Sequence, residues 1–133
     1  MRRSIKSPPM KKTILVVEDF ASIRDFVCEI LQRKGYDTVG AANGTHAYQL
    51  LAGKPEVNLV LTDYNMPDCT GFELLQKIKA NPSIANVPVV FLTTESNPDK
   101  MRAAKEAGLS AWIKKPYRAE MFFSQIEHAL NNG

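Results

Sequence analysis

The chain has 133 residues, of which 44% are hydrophobic and 23% charged, and this predicts a single domain with one proper core. The net charge of +3 resides in Arg2, Arg3 and Lys6, because the rest of the chain contains equal numbers of acidic and basic side chains. We therefore expect a basic, disordered tail over residues 1–10, a folded domain over residues 11–133, and no nucleic-acid partner.

The cysteine and apolar patterns narrow the class of protein further. Cys28 and Cys69 lie far apart, without clustered histidines, which argues against a disulfide framework and against a zinc site. No apolar run approaches the length needed to cross a bilayer, and the amino terminus lacks the apolar centre of a signal peptide. We expect a cytoplasmic protein without membrane insertion.

Short apolar runs rich in β-branched residues alternate with segments of helical periodicity. In chain order the pattern predicts strand 13–17, helix 23–34, strand 37–41, helix 44–53, strand 58–62, helix 70–79, strand 87–92, helix 97–108, strand 111–114 and helix 118–130. Thr70 and Glu73 form a capping box before the third helix, and Asn97 caps the fourth helix ahead of Pro98.

The predicted strands are mostly apolar on every side chain, as strands buried on both faces are. Five βα units of this kind predict an α/β fold in which a doubly wound, five-stranded parallel sheet carries helices on both faces. The flavodoxin-like (βα)5 architecture is the expected form, in a single domain.

Polar residues follow the apolar runs, at the sheet edge where ligands bind in open parallel sheets. Glu18 and Asp19 follow the first strand, Asp63 the third, Thr93 the fourth and Lys115 the fifth. Three carboxylates at one edge repel one another, so they require either raised pKa values or a bound cation. Mg²⁺ suits such a set because it prefers oxygen ligands and keeps several waters.

Phosphoryl transfer is the chemistry that this set of residues favours. A carboxylate can attack phosphorus and form an aspartyl phosphate, and Asp63 is the predicted nucleophile. Mg²⁺ and Lys115 would neutralise the phosphoryl oxygens, and the hydroxyl of Thr93 could donate a hydrogen bond to one of them.

These residues and their neighbours resemble the receiver domain of two-component response regulators, most closely the single-domain, CheY-like chemotaxis type. The resemblance extends over residues 12–130. Its motifs are Val17-Glu18-Asp19-Phe20 with Arg24, Thr62-Asp63-Tyr64-Asn65-Met66-Pro67 with Gly71, Phe91-Leu92-Thr93, and Lys114-Lys115-Pro116.

The resemblance implies that Asp63 accepts a phosphoryl group from a CheA-like sensor histidine kinase. It also implies that Asp19, Asp63 and the backbone carbonyl of Asn65 hold Mg²⁺, while Glu18 acts through a metal-bound water. The Lys115–Pro116 peptide bond is cis in relatives, so a cis bond is expected here.

A switch is implied in the same way. Thr93 would move toward the phosphate and Trp112 would turn inward, remodelling a target-binding face formed by the fourth helix, fifth strand and fifth helix. The target could be the flagellar motor switch, and a phosphatase is a further candidate partner. Asn65 and Glu95 border the attacking water in relatives, which predicts a short-lived phosphoryl group.

Three positions depart from the family pattern. Thr70 stands where relatives usually have Asp, with the same capping ability, and Thr94 replaces a small residue that would leave more access to the phosphorylated carboxylate. Trp112 replaces Tyr or Phe. An indole at that position either biases the switch or only fills space in the core.

Four other functions stay open. A Mg²⁺-dependent phosphatase also uses a strand-end Asp, but Asp63-Tyr64-Asn65 lacks the second acid that protonates a leaving group. A flavodoxin-like cofactor binder would need a Gly- or Ser-rich loop after the first strand, where Glu18 and Asp19 have the wrong charge. A scaffold that is never phosphorylated conflicts with the presence of the acidic residues at the strand ends. A phosphorelay shuttle differs from a chemotaxis regulator only in its binding partner. We expect no enzyme beyond self-phosphorylation and autodephosphorylation.

Overall fold

The computed structural model describes residues 11–53 and 56–132, and the predicted tail over residues 1–10 lies outside them. All ten predicted elements are present in the predicted order. They are β1 (Thr13–Val17), α1 (Ala21–Arg33), β2 (Asp37–Ala41), α2 (Gly44–Gly53), β3 (Leu59–Thr62), α3 (Gly71–Ala80), β4 (Val89–Thr93), α4 (Pro98–Glu106), β5 (Ala111–Lys114) and α5 (Ala119–Asn132).

The five strands form one parallel sheet in the order β2-β1-β3-β4-β5. This arrangement confirms the predicted doubly wound, flavodoxin-like fold. Strand β2 lies on one side of β1, and β3, β4 and β5 follow one another on the other side. The direction in which strands are added therefore reverses between β1 and β3. Ligand sites in such sheets lie at the carboxyl ends of the strands beside this reversal.

Apolar side chains fill both faces of the sheet. Successive residues of a strand point to opposite faces, and in β1 Leu15 and Val17 join one buried cluster while Ile14 and Val16 join the other. The first cluster includes side chains of α2, α3 and α4, and the second includes those of α1 and α5. Each fully buried large aliphatic side chain contributes about 1.5–3 kcal/mol, so burial on both faces stabilises the sheet strongly.

Helix α1 buries fewer of its apolar residues than the helical spacing in the sequence predicts. Val27 and Leu31 are buried against the sheet, whereas Phe26 is 57% exposed and Ile23 is 38% exposed. Phe26 is roughly 100° around the helix from Val27, which turns it away from the sheet. The apolar residues of this helix therefore include an exposed pair that the core does not use.

The structure shifts several predicted boundaries by one or two residues, and three of these shifts have a clear physical cause. Asn58 precedes β3, where its backbone N–H and side-chain Oδ1 both bond Thr13 at 2.8 Å. Val87 precedes β4, since its backbone N–H closes a turn onto the carbonyl of Ile84. Helix α4 ends at Glu106 because Gly108 adopts a φ of +104°, a conformation that L side chains rarely take.

Cys28 and Cys69 are both free thiols, as expected for a protein without a disulfide framework. Among the described residues, no helix combines the length and the apolarity that crossing a bilayer requires.

Candidate functional site

Strand pairing brings the polar strand-end residues to one edge of the sheet. Val17 of β1 lies opposite Thr62 of β3, so Glu18 and Asp63 follow side by side where these strands end. The backbone N–H of Asp63 donates to the carbonyl of Val17 at 3.2 Å and extends this pairing by one residue. The carboxyl ends of the two central strands therefore present acidic residues next to each other.

Three carboxylates meet at this edge. One oxygen from each of Glu18, Asp19 and Asp63 lies within 4.8 Å of the other two. Carboxylate oxygens at this spacing are the ligands that a hard divalent cation such as Mg²⁺ prefers. The donor set therefore fits the ion that the sequence predicts.

Glu18 is the most enclosed of the three acids, with 4% of its surface exposed. Burial raises the pKa of this carboxyl above its ordinary value, and the neighbouring acids Asp19 and Asp63 act in the same direction. Opposing them, the backbone N–H of Phe20 donates to Oε2 at 3.1 Å, and Lys115 Nζ lies 3.7 Å from Oε1. Glu18 thus carries a charge that the fold only partly compensates.

Asp63 is held by its own loop. The backbone N–H of Tyr64 donates to Oδ1 at 2.7 Å, and the hydroxyl of Thr62 donates to the Asp63 carbonyl at 2.9 Å. A Cβ on Gly71 would lie 2.4 Å from that carbonyl oxygen, so only glycine lets α3 begin this close to β3. The carboxylate of Asp63 is therefore fixed in direction and only partly buried.

Thr93 ends β4, and Lys115 follows the last residue of β5. The backbone N–H of Lys115 donates to the Thr93 carbonyl at 2.9 Å, which extends the β4–β5 pairing beyond Lys114. The Lys115–Pro116 bond is cis, as the resemblance implies. Thr93 is fully buried, and its hydroxyl oxygen accepts a bond from the Glu95 N–H at 3.1 Å, which leaves its own hydrogen free to donate elsewhere.

Glu95 and Asn65 lie on the loops around the three carboxylates. The carboxylate of Glu95 accepts hydrogen bonds at 3.1 Å from Lys100 Nζ and from the Asn97 N–H, so it is engaged at the turn before α4. The bond from Lys100 is the main reason that the pKa of Glu95 is lowered. Asn65 is exposed on the β3–α3 loop, and its carbonyl stays a predicted ligand.

Trp112 is packed inward beside the site. Its ring centroid lies 5.3 Å from that of Phe91 and 5.7 Å from that of Tyr64, the residue after Asp63. Its Nε1 donates to the Glu95 carbonyl at 3.1 Å. Lys100 completes the group, with Nζ 5.2 Å from the centre of the Tyr64 ring.

The sequence patterns indicated no role for Tyr64 outside its motif and none for Lys100. The ring of Tyr64 connects the phosphoacceptor candidate to Trp112, as an aromatic residue directly after a strand-end Asp could have suggested. Lys100 had no such signal, because its partner Glu95 is five residues earlier and outside the helix. The usual spacing for ion pairs within a helix is three or four residues.

Known proteins share both the sequence pattern and the fold. Residues 14–127 match the family described as the response regulator receiver domain. A chemotaxis protein CheY homolog of Campylobacter jejuni is 32% identical over 121 residues, which cover 90% of this chain and 93% of the relative. The two-component response regulator ORR11 of Oryza sativa subsp. japonica is 32% identical over 105 residues, 79% of this chain and 71% of the relative.

Among solved structures, the chemotaxis protein CheY4 of Vibrio cholerae superimposes with a TM-score of 0.83 at 31% identity. The match covers 90% of this chain and 99% of that one. Because the family match takes in most of the chain and the sheet order agrees with it, the protein belongs to the receiver domains of two-component response regulators.

Proposed function

We propose that the protein is a phosphorylation-controlled signalling module, in which Asp63 accepts a phosphoryl group from a sensor histidine kinase. The observation that carries this proposal is the meeting of three carboxylate oxygens within 4.8 Å, with the ammonium of Lys115 3.7 Å from one of them. A nucleophile, a cation site and a fixed positive charge at one sheet edge are what phosphoryl transfer to a carboxylate needs.

The transfer step follows from the position of Asp63. Its Oδ1 already accepts the Tyr64 N–H, so Oδ2 is the oxygen that attacks the phosphorus of a phosphohistidine. The O–P bond forms as the P–N bond breaks, and the electron pair stays on the imidazole nitrogen, which then takes a proton. Water attacking the same phosphorus later returns the free carboxylate and inorganic phosphate.

The other site residues would orient the phosphoryl group and neutralise its negative charge. Asp19, Asp63 and the carbonyl of Asn65 would hold Mg²⁺, with Glu18 acting through a bound water, and the ion would supply positive charge against the phosphoryl oxygens. The ammonium of Lys115 would neutralise the negative charge on a second phosphoryl oxygen. The free hydroxyl hydrogen of Thr93 would donate to a third, since its oxygen is already occupied by the Glu95 N–H.

Output is proposed to pass through the face formed by α4, β5 and α5, with Thr93 and Trp112 as its switch residues. The contacts of Trp112 with Tyr64 and with the Glu95 carbonyl support this, because they join the phosphoacceptor loop to β5. Asn65 and Glu95 flank the route of the attacking water and would set the lifetime of the phosphoryl group. A short lifetime suits rapid signalling.

Chemotaxis is the pathway we propose, with a CheA-like kinase as donor and the flagellar motor switch as target, in the cytoplasm. The CheY homologues among the relatives support it. The alternative is a phosphorelay shuttle that returns the phosphoryl group to a histidine carrier, and only the binding partner of the phosphorylated form separates the two.

The first test is intact-mass measurement after incubation with acetyl phosphate, with and without Mg²⁺. We expect one phosphoryl adduct on the wild type, and none on Asp63→Asn or without Mg²⁺. Asp68→Asn is the matched control, because Asp68 is an exposed acid of the same loop and should label like the wild type. No adduct on a folded wild type that binds Mg²⁺ would contradict the proposal and favour a scaffold. Continuous phosphate release from many esters would favour a phosphatase.

A further inference from the structure

Arg24 belongs to the strand-end motif of the sequence but has no part in the function proposed above. It lies in the first turns of α1, and its Nη1 donates to the backbone carbonyl of Glu18 at 2.8 Å. The bond therefore reaches from the helix back to the end of β1, to the peptide group that joins Glu18 to Asp19.

Arg24 does not neutralise the acidic cluster. In the part of the chain that the structure describes, its guanidinium forms no ion pair within 4.0 Å, although Glu18 and Asp19 lie only six and five residues before it. A guanidinium that donates to a carbonyl instead of a carboxylate holds backbone in place, and its planar, charged N–H groups form strong bonds of this kind. The three carboxylates are therefore not paired with this arginine.

Four hydrogen bonds hold the Glu18–Phe20 segment, and Arg24 supplies two of them, one from its side chain and one from its backbone N–H to the Phe20 carbonyl at 2.9 Å. The Glu18 N–H donates to the Ala41 carbonyl at 3.0 Å, and the Phe20 N–H donates to the Glu18 side chain at 3.1 Å. Neither bond constrains the Glu18 carbonyl, whose direction sets the rotation of the following peptide group. The bond from the Arg24 side chain does, so it helps to determine where the side chains of Glu18 and Asp19 point.

Gly40 of β2 makes room for this arrangement. A Cβ added to Gly40 would lie 3.2 Å from Cδ of Arg24, closer than almost all real contacts of that kind. The aliphatic part of Arg24 thus crosses β2 over a residue that has no side chain. An alanine there would push against the arginine while leaving its charge in place.

We propose that Arg24 is a positioning residue for the cation site, holding the Glu18–Asp19 peptide so that both carboxylates stay within reach of Asp63. This inference rests on the proposed function. Electrostatics alone would predict tighter binding of Mg²⁺ when Arg24 is removed, because a positive charge near three carboxylates is lost. A positioning role predicts the opposite change in affinity. Loss of positioning should weaken the binding.

The test measures the affinity for Mg²⁺ by calorimetry, and the free energy of unfolding by urea titration without the ion. Arg24→Met keeps the aliphatic chain and removes the donors, and we expect the dissociation constant for Mg²⁺ to rise about tenfold, the scale seen for residues that orient metal ligands. Arg24→Lys should recover part of the loss. Arg33→Met, at an exposed arginine of the same helix, removes the same charge and should leave the affinity within about twofold of the wild type.

Gly40→Ala provides a second route to the same outcome. It should also weaken Mg²⁺ binding, and combining it with Arg24→Met should add little, because both changes remove one interaction. Unchanged or tighter binding in folded Arg24→Met would overturn the inference, even if that variant were less stable. A wild type that binds no Mg²⁺ and takes no phosphoryl group from acetyl phosphate would instead refute the proposed function itself.

Discussion

The indole Nε1 of Trp112 donates a hydrogen bond of 3.1 Å to the backbone carbonyl of Glu95. This bond joins β5 to the loop between β4 and α4, two residues after Thr93. It also holds the indole against Tyr64 and Phe91. The indole thus packs against the residue that follows Asp63 while staying partly exposed.

Trp112→Phe tests how much this bond contributes. Phenylalanine keeps an aromatic ring against Phe91 but cannot donate, so we expect the free energy of unfolding to fall by about 1 kcal/mol, the usual net value of a hydrogen bond. Urea titration followed by far-ultraviolet circular dichroism measures it. An equal loss in Trp112→Phe and in the matched bond-breaking variant Lys100→Met would contradict this assignment, because the Lys100 interaction is a partly exposed ion pair and should contribute less.

Lys100→Met should lower the free energy of unfolding by an amount that depends on pH. Lys100 lowers the pKa of Glu95 below its ordinary value of 4.5, so the folded state binds that proton less tightly than the unfolded state does. The stabilisation from this pair is therefore present at pH 7 and is lost as the pH falls through 4.5 and below.

Urea titrations of wild type and Lys100→Met across pH 3–7 should converge at the acidic end. Lys105→Met is the control, since Lys105 is an exposed lysine of the same helix and its difference from wild type should not follow the titration of Glu95. Trp112 is the only tryptophan of the chain, so its fluorescence should also change in Lys100→Met at neutral pH. A difference that persists unchanged at the acidic end would contradict the prediction.

Glu18→Gln should stabilise the folded protein when no divalent ion is bound. Burial and two neighbouring acids raise the pKa of Glu18, so the folded state holds its proton more tightly and loses stability as the pH rises through the ordinary value of 4.5 toward the raised one. A neutral amide of the same shape avoids this cost, by an amount on the order of 1 kcal/mol.

Urea titration in a chelator measures this gain at pH 7, and added Mg²⁺ should reduce it because the ion offsets the charge of the wild-type residue. The control is Glu106→Gln, an exposed glutamate at the end of α4, for which we expect a change within about 0.5 kcal/mol. Destabilisation by Glu18→Gln in the chelator would mean that the hydrogen bond from Phe20 outweighs the cost of burial.

Gly71→Ala should disturb the site through sterics alone. The added methyl group would lie 2.4 Å from the Asp63 carbonyl, so the start of α3 must move, at a cost of about 1–3 kcal/mol. Labelling by acetyl phosphate should slow because the Asp63 loop moves with it. Gly53→Ala is the matched control, since among the described residues no other part of the fold lies within 4 Å of its added Cβ and the fold should tolerate it. Equal behaviour of the two variants would show that the close approach has no consequence.

Much of this molecule could be predicted because the signals are local. Strand β1 comes from one apolar, β-branched run. The cap of α3 comes from Thr70 and Glu73, which exchange the two predicted hydrogen bonds. Both signals involve only residues that are close in the chain. The candidate site followed as well, since parallel pairing obliges Glu18 and Asp63 to meet once β1 and β3 are neighbours.

What the sequence by itself determined is therefore the alternation of elements, the class of fold and the residues at the carboxyl edge of the sheet, because periodicity and strand ends are properties of short segments. Only the tertiary structure decided which way the long side chains turn. Arg24 could have paired with an acid but bonds a carbonyl, and Trp112 could have faced solvent but bonds Glu95. Such choices depend on contacts between distant segments and differ by only a few kcal/mol, which no local pattern records.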